Sequence, residues 1–293
     1  MKVLADQLVL ITGAGSGIGK LMALLCAKEG SRLILWDLNK ENVEKVASEI
    51  KAKGGKAWAY QADVSNKDMV YSLADKIKKE IGKVDVLINN AGIVSGRPFL
   101  ECSDAQVQRS LDVNILAHFW TTKAFLPDMM KTNHGHIVNI ASAAGVVGVA
   151  GLADYCASKW AVIGFTESLR FEFKKQKLKG VKTTLVCPYY INTGMFEGVK
   201  TRFGFILPIL KQEYVAKRIV KAIKKNWAEL LMPRIVYTVP MMRILPTFLF
   251  DLICIILGVS ASMDEFKGRG ADVQLKKIET KPAAAAKPKG KKR

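Results

Sequence analysis

Tyr155 and Lys159 stand four positions apart in Tyr-Cys-Ala-Ser-Lys, so on a helix the phenol and the ammonium share one face. A free phenol titrates at about 10 and is a poor base at neutral pH, whereas an adjacent ammonium favours the phenolate. The pair is a candidate for proton transfer. By itself it is weak, because Tyr and Lys meet this way on many helices. Ser142 precedes Tyr155 by thirteen residues, and Asn114 lies further upstream. Each has a plain structural alternative, Ser142 as a strand-end turn residue and Asn114 as a helix amide satisfied by backbone. A second cluster is Thr12-Gly13-Ala14-Gly15-Ser16-Gly17-Ile18-Gly19. Glycines there let the backbone turn tightly and approach a pyrophosphate at a helix N-terminus. Asp37 follows eighteen residues after Gly19, where a carboxylate can hydrogen-bond both ribose hydroxyls of an adenosine. It would also repel a 2′-phosphate, and Ser16 and Leu38 bring no cation to offset this. NAD is therefore expected over NADP. Asp37 could instead cap the next helix, but Asn39 is better placed for that.

These residues need elements to position them. Short apolar runs at 7–12, 32–36, 56–61, 84–88, 136–140, 181–186 and 229–232 read as strands buried on both faces. Helical periodicity occupies 17–29, 40–53, 67–80, 104–131, 153–178 and 213–226. Strict alternation of this kind predicts an α/β fold, a doubly wound Rossmann sheet of seven parallel strands with helices on both faces. Asn114 then falls on the long 104–131 helix and Ser142 at the end of the fifth strand. Tyr155 and Lys159 fall on the 153–178 helix.

In this order and spacing the motifs resemble the short-chain dehydrogenase/reductase family over residues 5 to about 233. They are the glycine turn at 12–19, Asp63-Val64, Asn89-Asn90-Ala91-Gly92, Asn114, Ser142, Tyr155 and Lys159. The resemblance implies an NAD(P)-dependent oxidoreductase whose active-site residues are Asn114, Ser142, Tyr155 and Lys159. It implies a nucleotide held by Gly13, Ser16, Gly17, Ile18, Gly19, Asp37, Asp63, Val64, Asn90, Ala91 and Gly92. Tyr155, Lys159, Pro188, Ile191 and Thr193 complete that set. Oxidising an alcohol requires removing its O–H proton as hydride leaves the same carbon. Lowering a phenol pKa by about three units for that role takes about 4 kcal/mol of differential stabilisation. Lys159 and the nicotinamide charge are expected to supply it. Ser142 is expected to hold the substrate oxygen, and Asn114 a water in a relay to Lys159.

One departure is Pro188-Tyr189 where the family commonly has Pro-Gly, which puts a bulky ring beside the nicotinamide pocket. Cys156 and Cys187 flank the site and read as packing residues. His134-Gly-His136 has no third metal ligand nearby and reads as a surface turn, so no metal is expected. The stretches 118–127, 134–139 and 192–198 resemble the branch of epidermal-type retinol dehydrogenases and membrane- or lipid-droplet-associated 17-beta-hydroxysteroid dehydrogenases. That branch implies a lipophilic alcohol or ketone as substrate. Eukaryotic members carry an N-terminal hydrophobic anchor, and here residues 1–7 lead directly into an apolar strand.

Composition bounds the rest. Of 293 residues 49% are hydrophobic and 24% charged, which excludes a wholly disordered chain. Five scattered cysteines argue against a disulfide-stapled secreted fold. The net charge of +19 calls for an anionic partner. Ten Lys/Arg against two acids in 267–293 supply +8 of it. Basic residues interleaved with aromatics are not visible, so nucleic acid is an unlikely partner. The apolar stretch 236–259 is interrupted by Pro240, Arg243, Pro246 and Asp251. The longest uncharged stretch, Leu252 to Met263, is twelve residues, short of the roughly 20 a spanning helix needs.

The expected organisation is a catalytic domain over 1–233, with a substrate lid at about 194–212. A membrane- or core-associating segment over 234–266 and a basic disordered tail over 267–293 follow. Met241, Met242, Leu245, Phe248, Leu249, Leu252, Ile253 and Ile256 are the side chains expected to enter a headgroup boundary. The protein is expected to be a cytoplasmic homodimer pairing through its two long helices, peripheral on an anionic membrane. It would oxidise a retinol-, steroid- or long-chain-type alcohol with NAD. The alternatives are an NADPH-linked ketone or aldehyde reductase, and a non-catalytic lipid-surface protein on the same fold.

Overall fold

Side chains that alternate between two buried faces organise the sheet. In strand β1 (Leu8–Thr12) every residue is buried, with Val9 and Ile11 packing to one side and Leu8 and Leu10 to the other. The first side carries helices α1 (Gly17–Lys28) and α2 (Lys40–Ala52), and later α7 (Gln212–Lys225). The second carries α3 (Lys67–Glu80), α5 (Ala117–Lys131) and α6 (Ala153–Lys175). The remaining strands are β2 (Arg32–Asp37), β3 (Lys56–Gln61), β4 (Val86–Asn89), β5 (Gly135–Ile140), β6 (Val181–Pro188) and β7 (Glu229–Met232). These coordinates are a computed structural model and describe residues 3–268.

All seven strands are parallel, in the order β3-β2-β1-β4-β5-β6-β7. The chain runs outward from β1 to β3, then returns to β4 on the other flank of β1. The crevice beyond the carboxyl ends of β1 and β4 is where such a sheet binds ligands. Local signals set the helix starts. Asn39 Oδ1 accepts the Asn42 amide at 2.9 Å, Asn66 caps α3 in the same way, and Ser103 with Gln106 forms a capping box for α4 (Asp104–Leu111).

The helix expected over 104–131 is present along its whole length, with one local change of winding. A π-turn at Asp112–Leu116 joins α4 to α5, and Asn114 sits in it with its side chain bonding outside the helix. Such wide turns concentrate at functional sites. His136 also departs from expectation. It is a buried residue of β5, its Nε2 2.8 Å from Thr184 Oγ1, whereas His134 lies in the exposed turn before it. The Gly135 between them begins the strand, so the histidines do not share a turn.

After β7 a 3-10 turn (Arg234–Thr238) leads to α8 (Val239–Met242) and α9 (Thr247–Ile256). No helix among the described residues is long and apolar enough to cross a membrane. Both faces of this segment are apolar, but they meet different surroundings. Met242 and Ile253, grouped above with the outward side chains, turn inward to line a cavity. Met241, Ile244, Phe248, Leu252, Ile255 and Ile256 face outward, with Ile244 86% and Phe248 69% exposed. The basic tail beyond Gly268 lies outside the described residues.

Candidate active site

The glycine turn is close-packed for a backbone reason. A Cβ on Gly19 would lie 2.0 Å from the Gly13 carbonyl oxygen, and Gly13 has φ +66°, in the left-handed region that favours glycine. Thr12 and Asn90 tie this turn to the end of β4. Thr12 Oγ1 accepts the amides of Asn90 and Ala91 at 2.9 and 3.0 Å, and Asn90 Nδ2 donates to Thr12 O at 2.9 Å. Asp37 closes the other side: Oδ2 accepts the Gly15 amide at 2.8 Å and Oδ1 the Asn39 amide at 2.9 Å.

These contacts form one wall of a cleft of about 290 Å³ lined by every residue assigned above to the nucleotide, from Gly13 through Thr193. The fit is chemical as well as spatial. Gly17 and Gly19 leave the start of the first helix open to a phosphate, an acid sits at the end of β2, and apolar Val64 and Ile18 lie in the same cleft. A nicotinamide dinucleotide needs that set.

Arg109, on α4, is a lining residue that the sequence motifs did not single out. Its Nη2 lies 3.1 Å from Asp63 Oδ2, and its Nη1 also bonds Ser65 Oγ. Partial burial works against the Asp63 charge. The hydroxyl and amide of Ser65, together with Arg109, outweigh it and hold this carboxyl below the usual range. No spacing rule links residues 63 and 109, so only a contact map could have found the pair.

At the inner end stand Ser142, Tyr155 and Lys159, all buried. Ser142, two residues past β5, caps the 143–145 turn by accepting the Ala144 amide at 3.2 Å, donates to Pro188 O at 3.4 Å, and stands beside the Tyr155 hydroxyl. Lys159 Nζ donates to Ile140 O at 2.9 Å and lies 5.6 Å from the Tyr155 ring centre. Burial lowers the Lys159 pKa to about 8. Burial also pushes the Tyr155 phenol well above its ordinary value, against the opposing influence of the neighbouring Ser142 hydroxyl. The downward shift expected from Lys159 is therefore not a property of the side chains alone, because desolvation dominates in this enclosed position.

Asn114 is fully engaged by protein. Its Nδ2 donates to Ile93 O at 2.9 Å and to Ser158 Oγ at 3.1 Å, while its Oδ1 accepts the Ile93 amide at 2.9 Å. It thereby joins the loop after β4 to the helix bearing Tyr155 and Lys159. Cys156 and Cys187 are buried free thiols, with burial raising both and taking Cys187 to about 12. That is the setting of packing residues rather than nucleophiles.

A second cavity of about 270 Å³ adjoins the cleft. Ser142, Tyr155, Tyr189 and Phe196 line both spaces. Away from those hydroxyls its walls are almost wholly aliphatic and aromatic, contributed by the 146–152 loop, Ile206 and Leu207, and the inward side of 235–259. The Tyr189 ring stacks edge-on against Tyr190 at 4.7 Å and occupies the junction.

Residues 7–202 match the family described as short chain dehydrogenase. The chain is 50% identical over 267 residues to epidermal retinol dehydrogenase 2 of Homo sapiens, covering 90% of this chain and 86% of the relative. It is 44% identical over 273 residues to retinol dehydrogenase 10-A of Xenopus laevis, covering 84% and 80%. A solved short chain dehydrogenase/reductase from Burkholderia phymatum, in complex with NAD, has a TM-score of 0.74 at 28% identity, covering 83% of this chain and 95% of that one. A metagenomic short-chain oxidoreductase in complex with NADP reaches 0.66 at 30%, covering 79% and 98%. On its sheet order, its glycine cleft and these likenesses, the chain belongs to the short-chain dehydrogenase/reductase family, in the retinol dehydrogenase branch, and is a nicotinamide-dependent oxidoreductase acting on alcohols.

Proposed function

We propose that the protein oxidises a lipophilic primary or secondary alcohol with NAD, using Tyr155 as the acid/base. The observation that carries this reading is the shared boundary at Ser142 and Tyr155. Two hydroxyls there face a cavity otherwise suited to hydrocarbon, and the nucleotide cleft lies directly behind them. The Tyr190, Ser262 and Thr238 hydroxyls of that cavity are engaged by protein, Tyr190 with Ser262 and Thr238 with Ile235 O, so an apolar alcohol is oriented with its oxygen towards this end. The relatives' names, retinol dehydrogenases at 44–50% identity, support a substrate of that class.

When bound, the nicotinamide accepts the hydride. The protein's own work is to place and move the proton. Ser142 holds the substrate oxygen beside Tyr155, and the phenolate takes the hydroxyl proton. Lys159 stands close enough to stabilise the phenolate in a site from which water is excluded. Asn114 and Lys159 flank the Gly92 position, where a water can pass the proton onward. Run in reverse, the same groups reduce a ketone or aldehyde with Tyr155 as acid. Asp37 favours NAD, since a carboxylate at the ribose repels a 2′-phosphate.

The outward apolar face of 241–256, together with the basic residues of 267–293, supports peripheral attachment to an anionic membrane. Ala157, Ala161, Gly164 and Ser168 leave a strip of small exposed residues along α6. That strip supports pairing of two copies through this helix, which light scattering of the full chain would test. A mass equal to one chain at micromolar concentration would exclude it.

The deciding experiment follows NADH absorbance with a panel of lipophilic alcohols, for wild type and Tyr155→Phe. The variant is expected to keep NADH binding, read by fluorescence, and lose turnover by about 10²- to 10⁴-fold. Wild type that reduces no NAD with any of them, in detergent or vesicles, would end this reading.

A further inference from the structure

The outer wall of the apolar cavity is a segment with little to hold it. Helix α9 has ten residues and none of them is buried, and a helix that short has marginal stability by itself. Its inward side chains Phe250, Ile253 and Cys254, with Leu257 just after it and Met242 of α8, close the cavity on the side away from the sheet. Hydrogen bonds tie the flanks down. Tyr237 Oη accepts the Leu231 amide at 3.2 Å before the segment, and the Tyr190 and Ser262 hydroxyls meet at 2.8 Å after it.

Between those flanks the tie is Arg243. Its Nε donates to Val146 O at 3.0 Å. Its guanidinium lies 4.4 Å from the Trp160 ring centre and 5.2 Å from that of Phe250. Among the described residues, the other hydrogen bonds of 239–257 stay within the segment or reach only nearby residues in sequence, Val236, Thr238, Gly258 and Val259. The two anchor points on the body are informative. Val146 lies four residues beyond Ser142, and Trp160 directly follows Lys159 on α6. One planar cation therefore spans from the loop and helix carrying the candidate catalytic groups to an aromatic ring of the cavity's outer wall.

We propose that Arg243 is a positioning residue that sets specificity for bulky lipophilic alcohols by latching α8–α9 as the outer wall of the substrate cavity. This rests on the proposed reading of that cavity as the alcohol site. A guanidinium suits the task because it can stack on two rings and donate in its own plane at once. A Lys ammonium is a point charge and cannot do both. Release of the latch leaves the wall free to swing out. A long hydrocarbon then loses the surface it packs against, while a short alcohol, held at Ser142 and Tyr155, loses little.

The test compares full-length wild type, Arg243→Ala and Arg243→Lys. One readout is hydrogen exchange of the 247–257 amides; the other is the ratio of kcat/KM for retinol to that for butan-1-ol. In Arg243→Ala the exchange is expected to accelerate, and the ratio to fall by about tenfold or more through the KM for retinol. Arg243→Lys is expected to fall between the two. NADH fluorescence checks that each variant is folded. Unchanged exchange in Arg243→Ala overturns the latch whatever the enzyme oxidises. Faster exchange with an unchanged ratio overturns its role in specificity. A wild type inactive on both alcohols instead overturns the functional reading, and the exchange data still judge the latch as a structural tie.

Discussion

Asp37 reaches from the end of β2 into the glycine turn, its Oδ2 accepting the Gly15 amide at 2.8 Å. The contact makes one carboxylate both a brace for the turn and a lining group of the nucleotide cleft. Each oxygen accepts one backbone amide and keeps lone pairs for ribose hydroxyls. Asp37→Ala is expected to lower kcat/KM for NAD by about 10- to 100-fold, or roughly 1.5–3 kcal/mol of charge-assisted hydrogen bonding. Discrimination against NADP is expected to shrink at the same time. Initial rates with both nucleotides decide it, and a wild type that prefers NADP would refute the assignment.

Lys159 gives a pH signature. Burial brings its pKa from 10.5 to about 8, so below pH 8 the folded protein holds a buried charge that the unfolded chain keeps in water. That penalty fades as pH rises from 8 towards 10.5, because the unfolded state then binds more protons than the folded one. Wild type should therefore gain on Lys159→Met by up to about 3 kcal/mol between pH 7 and 10. Denaturant melts of both proteins across that range would show it. Parallel stability curves would mean that the ammonium is not desolvated as described.

Gly92 offers a probe of the proton path. A Cβ there would lie 3.4 Å from Asn114 Oδ1 and 3.7 Å from Lys159 Nζ, ordinary contact distances that the fold accommodates. Gly92→Ala is thus expected to change stability by only about 0.5 kcal/mol. If a water between Asn114 and Lys159 relays the proton, kcat should drop by about tenfold or more, with NADH affinity little altered. An unchanged kcat at saturating substrate would remove that space from the mechanism.

The outward face of α8–α9 predicts a surface-binding defect. Replacing Ile244, Phe248 and Leu252 together by Ser should weaken sedimentation with phosphatidylserine vesicles, since burying each side chain contributes about 1–2 kcal/mol. Wild-type binding should also weaken with salt, as the basic tail is screened. Equal binding by the triple variant, or none by wild type at low salt, would count against membrane attachment through this face.

Much of this architecture was legible in the chain because it is written locally. The strands are short continuous apolar runs, the caps Asn39 and Asn66 sit at their helices' thresholds, and Gly13 and Gly19 mark a turn that side chains would block. Those signals were enough to place seven strands along the chain, while the set of residues from Gly13 to Thr193 followed from the family resemblance. The π-turn inside the 104–131 helix left no such mark, because it accompanies the bonds of Asn114 to Ile93 and Ser158, both distant in sequence and on other elements.

Tertiary structure alone decided what depends on burial and distant partners. Arg243 and Val146 are 97 residues apart, and Arg109 and Asp63 are 46 apart, so neither pair has a spacing to read. The sequence identified 236–259 as apolar, but an apolar helix shows no preferred face. Only packing turned Met242 and Ile253 towards the catalytic cavity and left Ile244 and Phe248 outside. The same holds for the chemistry. The types and spacing of Ser142, Tyr155 and Lys159 name a proton-transfer site, whereas the direction of the Tyr155 shift is set by desolvation, which exists only once the surrounding elements have closed over the phenol.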